Sequence, residues 1–346
     1  MKSSSSFHMQ YAFSFPEESY FGKTFPSTYQ GAGLAVNTFS NSAEIGTPAA
    51  IYILQGASLA RLAPSLTLGY EWNFGASFGW KPYREYTNPN NTVVGSRINA
   101  YICFGLLLDW HISESWNAMF GLEAAHFSNG NTKYPNSGVN TLSARLGVSY
   151  SFETIPGRKT ASVLNNIYNY GSDGTRRRWT LDATLYGAGR AKAIIWEENP
   201  YIVSGKFGIL GINVNPLFRV NKFLRAGISA DIQYDESANI DRHIAGHHVD
   251  SNGEDLRFFR PPLKEQLGAG LSLRAEFVMP VFSVNIGFGH NVIYKGDDLK
   301  GFYQIVALKT NVTRHLFIHI GYKLSRFQDP NNLMIGLGWK FGDDRW

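Results

Sequence analysis

Long stretches of this chain alternate apolar and polar residues with a period of two, and few folds can use such a pattern. Successive side chains of a strand point to opposite faces, so strict alternation separates an apolar face from a polar one. Between 66 and 80 the even positions are Leu66, Leu68, Tyr70, Trp72, Phe74, Ala76, Phe78 and Trp80, and the odd positions include Thr67, Glu71, Asn73 and Ser77. Segment 98–110 puts Ile98, Ala100, Ile102, Phe104, Leu106, Leu108 and Trp110 on one face. The same pattern recurs at 179–190, 224–235, 316–324 and 333–341. Strands of soluble sandwiches average about five or six residues; these run past nine, enough to cross a bilayer when tilted. No run of about 18 uninterrupted apolar residues offers a helical span. Aromatics make up 14% of the chain and charged residues only 17%, with 35 glycines. These features predict an all-β fold, a transmembrane antiparallel β-barrel of the outer-membrane type.

Connection lengths supply a second test. Starting near residue 30 the pattern yields about fourteen strands, with twelve as the alternative count. The turns RLAPS, HISES, 218–221, MPV and VTRH are short, while 81–96, 129–137 and 236–265 are long. Short periplasmic turns and longer extracellular loops are the expected asymmetry. The segment 154–176 breaks it, being long on the short-turn side. The expected organisation is an N-terminal periplasmic segment over 1–28 and a single outer-membrane barrel over 29–346. The start, MKSSSSFHMQYAFSF, lacks the apolar core of a secretory signal, so the sequence reads as mature or truncated there.

Several classes of chemistry find little support. Net charge is +5 with scattered basic residues, RRR at 176–178 being the one dense run, which argues against nucleic acid as a partner. Cys103 is the only cysteine, so neither an intramolecular disulfide nor a thiolate cluster can form. His243, His247 and His248 lie near Asp241 and Asp250, but in a long polar loop that reads as chance clustering rather than a metal site. His290, His315 and His319 read as barrel or rim residues. Trp72, Trp80, Trp110, Trp116, Trp179 and Trp339 fit interfacial aromatic belts. No glycine-rich loop joins a strand to a helix, so nucleotide chemistry is unsupported.

The chemistry that does stand out lies in HFSNGNTKYPNSGVN. His126 and Ser128 share one face of a strand, and Asn140 opens the next alternating run, so a hairpin returns it to the pair. A hydroxyl nucleophile, an imidazole base and an amide to orient the base make an esterase constellation. His126 and Ser128 have the parity of Trp116, Ala118, Phe120, Leu122 and Ala124; Asn140 has that of Leu142, Ala144, Leu146 and Val148. All three therefore belong on the lipid-facing wall, at the extracellular rim, where polar groups are costly and signal function. Glu123 has the opposite, inward parity.

His126-Phe127-Ser128-Asn129, followed by Lys133, Pro135, Asn136 and Gly138, resembles the signature of the outer-membrane lipid A 3-O-deacylases, β-barrel esterases with a His-Ser-Glu triad on the outer wall. The resemblance is dense over about fifteen residues and faint elsewhere. It implies His126 as general base, Ser128 as nucleophile, Asn136 in an oxyanion hole and Asn129 as the asparagine after the nucleophile. Asn140 departs from the family's glutamate. The spacing from His126 to Asn140 is instead similar to that of outer-membrane phospholipase A, a family that uses calcium and dimerisation. The leading expectation is an outer-membrane serine esterase acting on lipid A of lipopolysaccharide, without a cofactor. The alternatives are a phospholipase A on glycerophospholipid, with calcium and a homodimer, or a non-catalytic porin or transporter barrel whose inward face lines a water-filled lumen.

Overall fold

The computed structural model describes residues 3–16, 18–152, 179–250, 253–280, 282–325 and 329–342. Strands β1 (Ser4–Ser14), β2 (Thr28–Phe39), β3 (Gly46–Ala63), β4 (Leu66–Trp80), β5 (Ile98–His111), β6 (Trp116–Ser128) and β7 (Val139–Tyr150) form one antiparallel sheet in chain order. After them come β8 (Trp179–Trp196), β9 (Asn199–Arg219), β10 (Leu224–Asp235), β11 (Ile244–Asp250), β12 (Gly253–Phe258), β13 (Leu267–Val278), β14 (Phe282–Ile293), β15 (Phe302–Asn311), β16 (Leu316–Ser325) and β17 (Asp329–Phe341). Eight of these close a barrel in the order β10-β13-β14-β15-β16-β17-β8-β9, and β11 pairs with β12 alone.

Each of the fourteen expected strands overlaps an observed one, but they do not share a sheet. The single barrel expected over 29–346 is divided into two compact units, one carrying β1–β7 and the other β8–β17. Period two dictates which face a residue takes and is silent on which strand it pairs with. Residues 1–28 also differ from expectation. They open with β1, which pairs with β2 from Ser4↔Phe39 to Ser14↔Tyr29. Phe7, Met9, Tyr11 and Phe13 alternate outward along it, all strongly exposed. The segment 154–176 and the run at 176–178 lie outside the described residues.

The outward faces are apolar, as parity requires. Leu142, Leu146 and Val148 are 81%, 78% and 71% exposed on β7, and Leu271, Leu273, Ile286 and Phe288 are exposed in the second unit. The inward faces are polar and filled. In the first sheet the Arg145 guanidinium donates to Glu71 Oε1 at 2.8 Å and to Gln10 Oε1 at 2.8 Å. Gln10 and Tyr29 donate to the same Glu71 carboxylate at 2.9 and 3.0 Å. In the closed barrel Asp231 accepts from Arg274, Ser272 and Tyr303 at 2.7, 2.6 and 2.6 Å. Lys309 bridges Asp182, at 2.9 Å, and Glu276. Breaking one partner out of such a buried pair costs about 3–5 kcal/mol, so these interiors are specific cores. An eight-stranded barrel is about wide enough for side chains to fill its interior.

Two further expectations are revised. The loop 236–265 is not featureless, because β11 and β12 form a hairpin within it. Leu256 of that hairpin packs with Ile240 and with Ile194 of β8 and Val203 of β9 in a small apolar cluster. Trp80 does not join an aromatic belt. It is buried against Phe39 and Phe127, whereas Trp110, Trp116, Trp179 and Trp339 stay outward and exposed. Gly79, at φ +91, turns the chain out of extended geometry and sends the next side chain inward.

Candidate active site

His126 on β6 and Asn140 on β7 are register partners. Their side chains share the outward face, and His126 Nδ1 lies 2.6 Å from Asn140 Oδ1. An amide oxygen only accepts, so Nδ1 carries the proton and Nε2 presents a lone pair. Ser128 closes β6 on the same parity, beside Ala100 of β5, and is only 8% exposed. Glu123 is no alternative partner for the histidine. It is buried in the interior with Oε2 3.7 Å from Arg145 Nη1.

The residue between the pair keeps them outward. Phe127 is buried among Tyr101, Trp80 and Phe39, with ring centroids 5.1, 5.3 and 6.2 Å away. Burying an aromatic of this size contributes roughly 1.5–3 kcal/mol. Because neighbours on a strand oppose each other, anchoring Phe127 inward fixes His126 and Ser128 on the other face.

The returning strand adds two features. Gly138 has φ +71, and a Cβ there would lie 3.1 Å from His126 Cε1 and 3.7 Å from Ser128 Cβ. The imidazole edge and the serine thus flank one point that only a glycine leaves open. Asn136 accepts from the backbone N–H of Asn129 at 3.0 Å through Oδ1, which fixes the amide. Its Nδ2 is buried without a hydrogen-bond partner. A buried, unpaired donor costs about 1–3 kcal/mol, the kind of cost retained where the group serves chemistry. Asn129 is itself buried, and its backbone N–H is committed to Asn136, so its visible contribution is to hold that donor.

A loop from the other side buttresses this turn. Val94 bridges Asn136, and Ser137 Oγ donates to the Thr92 carbonyl at 3.4 Å. Asn91, buried, accepts from Val93 and Val94 N–H at 3.1 and 3.0 Å and donates to the Lys81 carbonyl at 2.7 Å. Sequence reasoning singled out neither this support nor the steric part played by Gly138. The asparagine-rich run NPNNT was the available signal, since such side chains hydrogen-bond nearby backbone in turns.

The remaining histidines do other things. His243 Nε2 is 2.8 Å from Glu265 Oε2, and His247 meets the Trp196 ring edge-on at 5.7 Å. The side chains of His248 and Asp250 lie outside the described residues. His290 packs on Phe302, His315 stacks on Trp339, and His319 is buried. Among the described residues no three His, Cys, Asp or Glu side chains gather to hold a metal ion.

Known proteins resemble the chain at two levels. Among solved structures it is similar to the siderophore receptor PirA of Acinetobacter baumannii at 10% identity and a TM-score of 0.22, covering 86% of this chain and 47% of that one. It thus spans about half the length of that receptor. It is also similar to the outer membrane phospholipase A of Escherichia coli at 9% identity and a TM-score of 0.17, covering 86% and 82%. No curated protein matches. The family model of lipid A 3-O-deacylase (PagL) matches residues 5–149, the span of β1–β7. The model described as the C-terminal domain of acyloxyacyl hydrolase (PagL_C) matches 179–344, the span of the second unit. With both units matched, the chain belongs to the lipid A 3-O-deacylase family, ester hydrolases of the Gram-negative outer membrane.

Proposed function

We propose that this chain hydrolyses an ester-linked acyl chain of lipid A with Ser128, His126 and Asn140 on the lipid-facing wall of its first sheet, at the extracellular rim. The observation that carries this reading is the His126–Asn140 hydrogen bond on the outward apolar face, beside Ser128 and the unpaired Asn136 amide. Nε2 of His126 takes the Ser128 proton as Oγ attacks the ester carbonyl. Nδ2 of Asn136 donates to the tetrahedral oxyanion. The imidazolium then returns the proton to the departing sugar oxygen, leaving an acyl-serine. Water, deprotonated by His126, releases the fatty acid and restores Ser128. The acyl chain needs no deep pocket, because it lies along exposed leucines of the outer wall.

Mass spectrometry of the two lipid pools tests this. Incubation with the purified protein is expected to release a hydroxy fatty acid from lipid A and leave phospholipids intact. Lysophospholipid with unchanged lipid A would favour the second reading, a phospholipase A, for which Asn140 is the supporting residue. No change in either pool would sink both. The phospholipase reading would bring calcium and a second copy of the chain, and no step above is routed through a cation.

Asn140 orients the base but supplies no negative charge for the imidazolium. Asn140→Glu is expected to raise kcat by about tenfold, since a carboxylate stabilises the charged histidine in the transition state. Steady-state kinetics at neutral pH check this. An unchanged or lower kcat in a folded variant would show that orientation by the amide already suffices.

A further inference from the structure

Among the described residues the first sheet has two edge strands, and they lie beside the candidate site. Its seven antiparallel strands leave β1 and β7 running in the same direction, and among the described residues neither pairs with a strand on its outer side. Arg145 of β7 reaches Gln10 of β1 across this seam at 2.8 Å. At the end carrying His126 and Asn140 the seam opens into a cavity of about 530 Å³, lined by Ser3–Ser6 on one side and Asn140–Ala144 on the other. By parity Ser3, Ser5 and Asn140 sit on its outward lip, with Ser4, Ser6, Thr141 and Ser143 on the inward one. No lining residue is charged.

The chemistry of this slot is narrow. Its walls offer mainly hydroxyls, with Leu142 and Ala144 between them, and the outer N–H and C=O groups of two sheet edges that pair with no strand among the described residues, groups costly to leave open at a membrane. A phosphate is usually met by Arg, Lys or a helix N-terminus, and the slot has none of these. An acyl chain would leave the hydroxyls unsatisfied. A neutral ligand bearing hydroxyls and amides satisfies both walls. Asn140 belongs to the cavity and also holds His126, so the ligand filling the slot sits next to the ester under attack.

We infer that the β1–β7 seam binds the sugar end of the substrate, an N-acylated glucosamine unit, and so selects saccharolipid over glycerophospholipid. The inference rests on the esterase reading above for the position of the reacting bond. The slot takes the uncharged face of the sugar, and the acyl chains stay on the outer wall.

The test uses the full chain in detergent with three readouts. Hydrolysis of p-nitrophenyl butyrate reports the reacting groups without the slot. Ser5→Trp, on an exposed lip position, is expected to raise KM for lipid A about tenfold, as loss of ground-state binding does. Its kcat/KM for p-nitrophenyl butyrate should stay within about twofold of the parent, and Ser5→Thr should leave both substrates unaffected. The third readout is calorimetric titration with N,N′-diacetylchitobiose, which needs no turnover. Saturable binding is expected to the parent chain and lost in Ser5→Trp, with no binding of glycerophosphocholine. An unchanged KM for lipid A in Ser5→Trp, or equal binding of the disaccharide to both chains, overturns the inference. If Ser5→Trp loses both ester activities, the titration of the parent chain decides. Disaccharide binding without any ester hydrolysis would instead overturn the esterase reading and leave the sugar site standing.

Discussion

Ser128→Ala is expected to reduce deacylation of lipid A by at least about 10³-fold in kcat, with little change in KM. In the proposed mechanism the hydroxyl forms the bond that defines the acyl-enzyme, and the residual rate of a serine hydrolase without its nucleophile comes from binding and the oxyanion donor alone. Substrate contacts along the apolar wall are untouched, so KM should hold. The fold should hold as well, because β6 is anchored through Phe127 and its aromatic neighbours rather than through Ser128. Single-turnover assays with labelled lipid A would separate the steps, and unheated gel electrophoresis would confirm a folded chain. A folded Ser128→Ala protein that still cleaves at the parent rate would mean that the nucleophile lies elsewhere.

Asn136→Ala should lower kcat by roughly 10²–10³-fold, the usual cost of removing one oxyanion donor. That variant alone is ambiguous, because Asn136 also accepts from the Asn129 N–H and bridges Val94. Asn136→Asp separates the two functions. A carboxylate keeps the acceptor for Asn129 and nearly the same shape, but it removes the Nδ2 donor and places negative charge where the oxyanion forms. If the amide acts on the transition state, Asn136→Asp will be at least as impaired as Asn136→Ala, with KM unchanged. Recovery of activity in Asn136→Asp would show that the residue only shapes the turn.

Much of the site could be read from the order of residues, because its logic is one of parity. His126 and Ser128 are two apart, so they share a face whatever else the chain does, and the apolar residues on that parity show which face it is. The structure pairs His126 with Asn140 in the register that a hairpin requires. The orphaned Nδ2 of Asn136 was not legible in this way. It depends on which amide atom meets the Asn129 N–H, and that follows from a loop around Asn91 that approaches from another part of the sheet. Gly138 was visible as part of a motif, yet its reason, the space it leaves between imidazole and serine, exists only once both strands are in place.

The same division runs through the fold. Alternation by itself located fourteen of the strands and the apolar side of each, and it gave His126, Ser128 and Asn140 the outward parity, because side-chain direction along a strand is a local property. Partner choice is not local. Whether the strands share one barrel or divide into a seven-stranded sheet and a closed eight-stranded barrel depends on long-range registry and on which charges meet inside, such as Arg145 with Glu71 or Lys309 with Asp182. Those contacts join residues far apart in sequence, and they came into view only with the three-dimensional structure.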